Sequence, residues 1–196
     1  PSASTRDVAP VSPERTAPPI TSIDTTEAPR RTSGVGEFDR VLGGGLVPGA
    51  AVLLSGEPGV GKSTLLLEVA AQSARAGRRV LYVSAEESLG QVRLRAERTG
   101  TLHDRLLLAS ETDLATILGH VDQVRPDLLI VDSVQTVSSA LGDGAAGHPS
   151  QVREVASTLI RIAKDRDLPV VIVGHVTKDG SIAGPRILEH LVDVVC

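Results

Sequence analysis

Short apolar runs alternate with amphipathic segments from residue 51 to residue 173. The runs are nearly continuous in Val, Leu, Ile and Ala, which is typical of strands buried on both faces of a parallel sheet; they are residues 51–54, 79–84, 106–108, 128–131 and 170–173. Apolar residues recur at helical spacing between them and predict helices at 62–76, from a Ser88 capping box to about Gly100, at 114–124 and at 151–166. This alternation predicts an α/β fold, with a mainly parallel sheet and helices on both of its faces.

The first 30 residues differ from the rest of the chain. They hold six of the 12 prolines and nine serines or threonines, and they contain no glycine, leucine or aromatic residue. Such a segment cannot bury enough apolar area to offset the entropy lost on ordering. We therefore predict a disordered linker at 1–30 and a single domain at 31–196. Because the chain has no methionine, we expect it to be part of a longer protein, and residues 188–195 to lead into a strand whose partners lie outside this chain.

The amino-acid composition argues against several classes of function. One Phe, one Tyr and no Trp disfavour the base-stacking surface of small single-strand-binding domains. A single cysteine, Cys196, excludes a disulfide framework and a cysteine-rich zinc site within this chain. The net charge of −4 argues against a globally basic nucleic-acid binder, although a local patch remains open. With no apolar run near the roughly 18 residues that span a bilayer and no signal peptide, we expect no membrane contact and a cytoplasmic location.

The strongest chemical signal is a glycine-rich turn between the first predicted strand and the helix after it. It matches the phosphate-binding pattern G-x-x-x-x-G-K-[ST] in the strand-to-helix context that the pattern requires. Its backbone N–H groups would face phosphate oxygens, Lys62 would neutralise the β- and γ-phosphates, and the Ser63 hydroxyl would ligate Mg²⁺. The predicted nucleotide-binding residues are Gly56, Glu57, Pro58, Gly59, Val60, Gly61, Lys62, Ser63 and Thr64.

Carboxylates follow two other predicted strands. Asp132 ends the run 128–131 and would hold Mg²⁺ directly or through water, the alternative being a solvated aspartate. Glu86 and Glu87 follow the run 79–84, where a carboxylate can polarise an attacking water. We favour Glu86 as the catalytic residue and expect Glu87 to face solvent or a neighbouring subunit. Two ordinary surface acids remain the alternative.

The fifth predicted strand ends at His175, which could contact the γ-phosphate or its water, unless it is an ordinary strand-end histidine. Two polar loops remain. Residues 138–150 are rich in small residues and are predicted to be mobile, and residues 176–185 suggest a tight hairpin. Lys178 and Arg186 are the cations near that hairpin. We predict DNA contact for both, with a solvated hairpin as the alternative, because one or two phosphate contacts bind DNA weakly.

Four segments together resemble one family; they are residues 31–70, 80–88, 128–136 and 171–193. They are similar to the ATPase domain of the RadA (Sms) family of bacterial DNA repair proteins, which are RecA-like ATPases related to replicative helicases. The resemblance covers about residues 31–196. Its more specific part is 174–190, since 34–49 also resembles KaiC-type ATPases.

This resemblance implies a RecA-like P-loop NTPase fold with ATP and Mg²⁺ as cofactors. It further implies a DNA-stimulated motor that forms a hexameric ring and works with the RecA recombinase on single-stranded or branched DNA, by branch migration. The family roles fall on matching residues of this chain: phosphate binding on Gly56, Gly61, Lys62 and Ser63, metal anchoring on Asp132, water activation on Glu86, γ-phosphate sensing on His175 and a DNA-facing position on Lys178.

Two other functions remain open from the sequence. The chain could bind a nucleotide without significant turnover, because the Lys-Asn-Arg-Phe-Gly motif that RadA-like proteins carry after the ATPase strands is not in it. A small-molecule kinase also uses a phosphate loop. Residues 138–150 contain no arginine, however, whereas such kinases usually have an arginine-rich lid.

Overall fold

The computed structural model describes residues 17–23, 29–176 and 185–196. Most of the predicted linker at 1–30 lies outside the described residues. Lys178 and the predicted hairpin around Asp179 and Gly180 also lie outside them.

Six strands form one sheet in the order β3-β2-β4-β5-β1-β6, and every pairing between neighbours is parallel. The strands are β1 (Ala51–Gly56), β2 (Val80–Ser84), β3 (Leu106–Ser110), β4 (Leu128–Asp132), β5 (Val170–His175) and β6 (Val194–Val195). This arrangement confirms the predicted α/β fold. Because the strands are parallel, the residues that follow β1, β2, β4 and β5 meet at one edge of the sheet.

Five helices accompany the sheet among the described residues: α1 (Gly36–Val41), α2 (Lys62–Arg75), α3 (Leu89–Arg98), α4 (Leu114–Val124) and α5 (Pro149–Asp165). The capping box predicted at the start of α3 is present, because the Ser88 side chain accepts from the Gln91 backbone while the Gln91 side chain accepts from the Ser88 backbone. The short helix α1 was not predicted. It contains the only phenylalanine of the chain, Phe38, which is buried.

Two apolar layers enclose the sheet. Alternate strand residues such as Leu53 and Val131 pack with α4 and α5 on one face. Their neighbours, such as Val52 and Ile130, pack with α1, α2 and α3 on the other. Helices therefore cover both faces, as the continuously apolar strands predicted.

One local expectation was wrong. The strand expected to lack partners is β6, and it pairs with β1 through Val52 and Val194. The loop predicted to be mobile is tied to α5 by the buried side chain of Gln151. The Gln151 amide accepts from the backbone N–H of Ser139 at 2.8 Å and lies 3.1 Å from the Ser139 carbonyl oxygen and 3.0 Å from that of Gly144.

Candidate active site

The phosphate loop joins the end of β1 to the start of α2. Gly59 and Gly61 have φ angles of +83° and +90°, and a Cβ atom at either position would meet nothing within 4 Å. Backbone conformation, rather than lack of space, therefore requires glycine there. The open surface in front of the two glycines also leaves room for a ligand to approach the loop backbone.

Lys62 is the first residue of α2, and its ammonium group turns back over the loop. Its Nζ atom donates to the carbonyl oxygens of Gly56 at 2.8 Å and Glu57 at 2.7 Å. Burial lowers the pKa of Lys62, while the carboxylates of Asp132 and Glu86 act in the opposite direction. The loop thus carries a buried amine with two acids nearby, beside the positive end of a helix.

Asp132 lies at the carboxyl end of β4, next to the phosphate loop as predicted. The Ser63 hydroxyl donates to Asp132 Oδ2 at 2.5 Å. The buried Tyr82 hydroxyl on β2 donates to the same oxygen at 2.8 Å. Burial, followed by the Asp132 carboxylate, raises the pKa of Tyr82 far above its ordinary value, so this phenol keeps its proton and acts as a donor.

A hydroxyl beside a carboxylate fits a magnesium ion that also binds nucleotide phosphates. Mg²⁺ prefers oxygen ligands and is usually held by one or two carboxylates together with substrate phosphates. Consistent with that mode, the described part of the chain contains no cluster of three or more His, Cys, Asp or Glu residues able to hold a metal alone. Ser63 and Asp132 are the residues that would hold the ion.

Glu86 follows β2 and is held by residues from two other strand ends. Its Oε1 atom accepts from the Ser133 hydroxyl at 2.5 Å and lies 3.0 Å from His175 Nε2. The Nε2 atom of His175 is close to this Glu86 oxygen but is not oriented to form a hydrogen bond with it. Neither ring nitrogen of His175 has a hydrogen-bond partner within the described residues. The nearby His175 ring, followed by the Ser133 hydroxyl, still lowers the pKa of Glu86 against the opposing effect of burial. Glu86 is therefore a carboxylate at neutral pH.

A cavity of about 410 Å³ lies beside Glu86 and His175. Gln135, which follows β4, lines it and donates through Nε2 to the His175 carbonyl oxygen at 3.1 Å. The buried Oε1 atom of Gln135 has no partner among the described residues. Gln135 was not predicted as a site residue, because its position depends on how the segment after β4 packs against β5.

Glu87 is 27% exposed, and its side chain is paired within the chain. Its two carboxylate oxygens accept from Nη1 and Nη2 of Arg95 on α3, at 2.7 and 2.5 Å. Arg95 in turn lines a second cavity of about 260 Å³ together with Gly59, Gly61, Thr64 and other residues of the phosphate loop. Sequence reasoning missed Arg95. The available signal was that helical side chains lean towards the helix N-terminus, and α3 begins beside this edge of the sheet.

The structure describes one of the two residues predicted to contact DNA. Arg186 is exposed in the turn Pro185–Ile187, and Lys178 lies outside the described residues. The other predicted residues, Lys62, Ser63, Glu86, Asp132 and His175, do lie at the same edge of the sheet.

Comparison with known proteins adds to this geometry. Residues 26–181 match the family model described as an AAA domain. The chain belongs to this family. Within the described residues, no helix of this AAA domain has the length and apolar character needed to cross a membrane.

Curated relatives of this AAA domain carry the name DNA repair protein RadA. The relative from Mycolicibacterium smegmatis is 58% identical over 98% of this chain and 42% of its own length. The relative from Bacillus subtilis is 52% identical over 90% of the chain and 39% of its own length. The one from Streptococcus pneumoniae is 49% identical over 90% and 41%. The AAA domain thus spans about two fifths of the length of these relatives, and the resemblance to the RadA family is confirmed.

Proposed function

We propose that this AAA domain hydrolyses ATP and is the motor part of a DNA repair protein. We further propose that DNA stimulates this hydrolysis. One observation carries the proposal: the hydrogen bond of 2.5 Å between Ser63 of the phosphate loop and Asp132 of β4. It places a hydroxyl and a carboxylate together beside a buried lysine, and Glu86 lies at the same edge of the sheet. Phosphoryl transfer depends mostly on such positioning and charge stabilisation.

We assign nucleotide binding to the phosphate loop and to Lys62. The N–H groups at the start of α2 attract anions through the helix dipole. The Lys62 ammonium, which lies on loop carbonyls, can move to phosphate oxygens and exchange two neutral acceptors for charged ones. Bound Mg²⁺ would neutralise charge on the phosphates. Ser63 and Asp132 are the residues that would hold this ion.

Glu86 is the residue that we assign to the activation of water. A carboxylate whose pKa is lowered is a weak base, so we assign Glu86 mainly to orienting and polarising the attacking water. Ser133 and His175 both contact the Oε1 atom of this carboxylate and so restrict its rotation. That restriction is the preorganisation on which an in-line attack depends.

Coupling to DNA is proposed to pass through His175. This residue ends β5, its carbonyl is bound by Gln135, and its ring lies beside Glu86. Residues 176–185, with Lys178, continue directly from it. We propose that this segment, together with Arg186, contacts single-stranded or branched DNA. The names of the RadA relatives support a repair role. A hexameric ring, action alongside the RecA recombinase and a cytoplasmic location are proposed on the same basis.

The test uses the full-length protein that contains this chain. Mg²⁺-dependent ATP binding is measured by calorimetry, and phosphate release is measured with and without single-stranded DNA. We expect Lys62→Ala to abolish binding and release. Exposed Lys164 on α5 provides the matched control, and Lys164→Ala should leave both unchanged. If the unaltered protein binds Mg·ATP but never releases phosphate, with or without DNA, the motor function is wrong. Transfer of phosphate to an added metabolite would indicate a kinase instead.

A further inference from the structure

Arg95 borders the phosphate cleft although nothing in the phosphate-loop pattern involves it. It lies on α3, 31 positions after Thr64, and the two residues line the same cavity of about 260 Å³. Its side chain is 22% exposed, against 27% for its partner Glu87. Arg95 is therefore a largely covered cation whose remaining accessible surface adjoins the site of the phosphate loop.

The pairing with Glu87 determines what Arg95 can offer to a ligand. Both terminal nitrogens donate to the two oxygens of one carboxylate, at 2.7 and 2.5 Å. A two-point contact of this kind fixes the plane of the guanidinium as well as its position. It also offsets the positive charge locally, which weakens the attraction for phosphate. The Arg95 side chain stays 22% exposed and lines the cavity, and the flat face of a guanidinium can stack on an aromatic ring.

The chain has no aromatic side chain that could serve this purpose. It contains one phenylalanine and one tyrosine and no tryptophan. Phe38 is 5% exposed and Tyr82 is 1% exposed, both within the apolar layer under α1, α2 and α3. Within this chain, a stacking group for the base of a nucleotide bound to the loop is therefore a planar side chain other than these two rings. The His175 ring lines the same cavity as Arg95, but it also lies 3.0 Å from Glu86, the residue to which water activation is assigned.

We propose that Arg95 is a stacking platform for the base of the bound nucleotide, and that Glu87 is the positioning residue that holds the platform flat. This inference rests on the proposed binding of ATP and extends it to the base. Guanidinium planes stack on bases in many nucleic-acid complexes. Stacking tolerates different bases because every base has a π-face. The platform thus supplies affinity for the base without choosing strongly between purines.

The test separates the base from the phosphates by comparing Mg·ATP with Mg·tripolyphosphate, which has no base. Calorimetry on the full-length protein gives both affinities. Arg95→Lys keeps the charge but loses the plane, and we expect about tenfold weaker ATP binding with unchanged tripolyphosphate binding. Arg95→Tyr loses the charge but keeps a plane, and should retain most of the ATP affinity. Glu87→Gln should weaken ATP alone, by a smaller factor. Exposed Arg98 on the same helix provides the control, Arg98→Lys.

Each result decides between the possibilities. Equal weakening of ATP and tripolyphosphate by Arg95→Lys or Arg95→Tyr would make Arg95 a phosphate contact and overturn the platform. Greater loss of ATP affinity in Arg95→Tyr than in Arg95→Lys would overturn it as well, as would no effect from any Arg95 variant. Failure of the unaltered protein to bind either ligand would refute the proposed function itself. Tripolyphosphate binding by each variant, together with its melting temperature, shows that the variant is folded.

Discussion

The Tyr82 hydroxyl and the Ser63 hydroxyl donate to the same oxygen of Asp132, at 2.8 and 2.5 Å. The donors come from different elements, Tyr82 from β2 and Ser63 from α2. The carboxylate at the end of β4 is thereby fixed between the neighbouring strand and the helix of the phosphate loop. The Tyr82 ring packs in the apolar layer while its hydroxyl orients the proposed metal anchor, so one side chain links the core to the site.

Tyr82→Phe tests this link, because it keeps the ring and removes the donor. We expect ATP binding to require a several-fold higher Mg²⁺ concentration, since Asp132 loses one of the two groups that orient it. Binding in the presence of EDTA should not change. The free energy of unfolding should fall by about 1–3 kcal/mol, the usual effect of losing a hydrogen bond to a charged group. A stability loss with an unaltered Mg²⁺ requirement would show that Tyr82 acts only in folding.

The parts of this site that sequence reasoning located are those at the ends of strands. The phosphate loop and Asp132 each follow an apolar run, and parallel strands bring their carboxyl ends to one edge, so residues about 70 positions apart meet without any detail of packing. Glu86 and His175 were located by the same rule. Their assigned roles stay predictions.

The residues that were missed depend on packing between elements. Tyr82 belongs to an apolar run and has the pattern of a core residue, while Arg95 is one of three arginines on α3. No periodicity shows that one of them turns back to Glu87. Gln151 is the first residue of a predicted helix, and no pattern marks it as buried. Its burial follows from the course of the loop before it.

Glu86→Gln tests the proposed activation of water. The amide can still occupy the space beside Ser133 and His175 but carries no negative charge. We expect ATP binding to be retained and steady-state hydrolysis to fall by about 10²-fold or more, the scale for a lost positioned acid or base. The control is Glu97→Gln, on the exposed surface of α3. Normal hydrolysis by Glu86→Gln would remove Glu86 from the mechanism.

The lowered pKa of Glu86 also predicts a pH dependence of stability. Its pKa in the folded chain lies below that in the unfolded chain, first because of His175 and then because of Ser133. The stabilising contribution is therefore fully present above the unfolded pKa of about 4.3 and is lost as the pH falls through the lower folded value. Denaturant unfolding of the unaltered protein and of Glu86→Gln should show a difference in stability that shrinks as the pH falls below about 4. A difference that instead grows below about pH 4 would contradict the sign of this shift.

Gln151 ties down residues 139–144, and its loss should affect that loop more than the nucleotide site. The side chain is 2% exposed, and its amide satisfies both a backbone N–H and backbone carbonyl oxygens of the loop. Gln151→Leu would fill similar space and leave those buried groups unpaired. We expect the free energy of unfolding to fall by about 2–4 kcal/mol. Amide exchange should accelerate first in residues 139–144, because their backbone loses most of its described hydrogen bonds to side chains of α5 and keeps the one from Ser150. Arg153→Ala, two positions along and exposed, should change stability by less than about 0.5 kcal/mol. Uniform acceleration across the whole sheet in Gln151→Leu would instead mean that the loop and the sheet unfold as one unit.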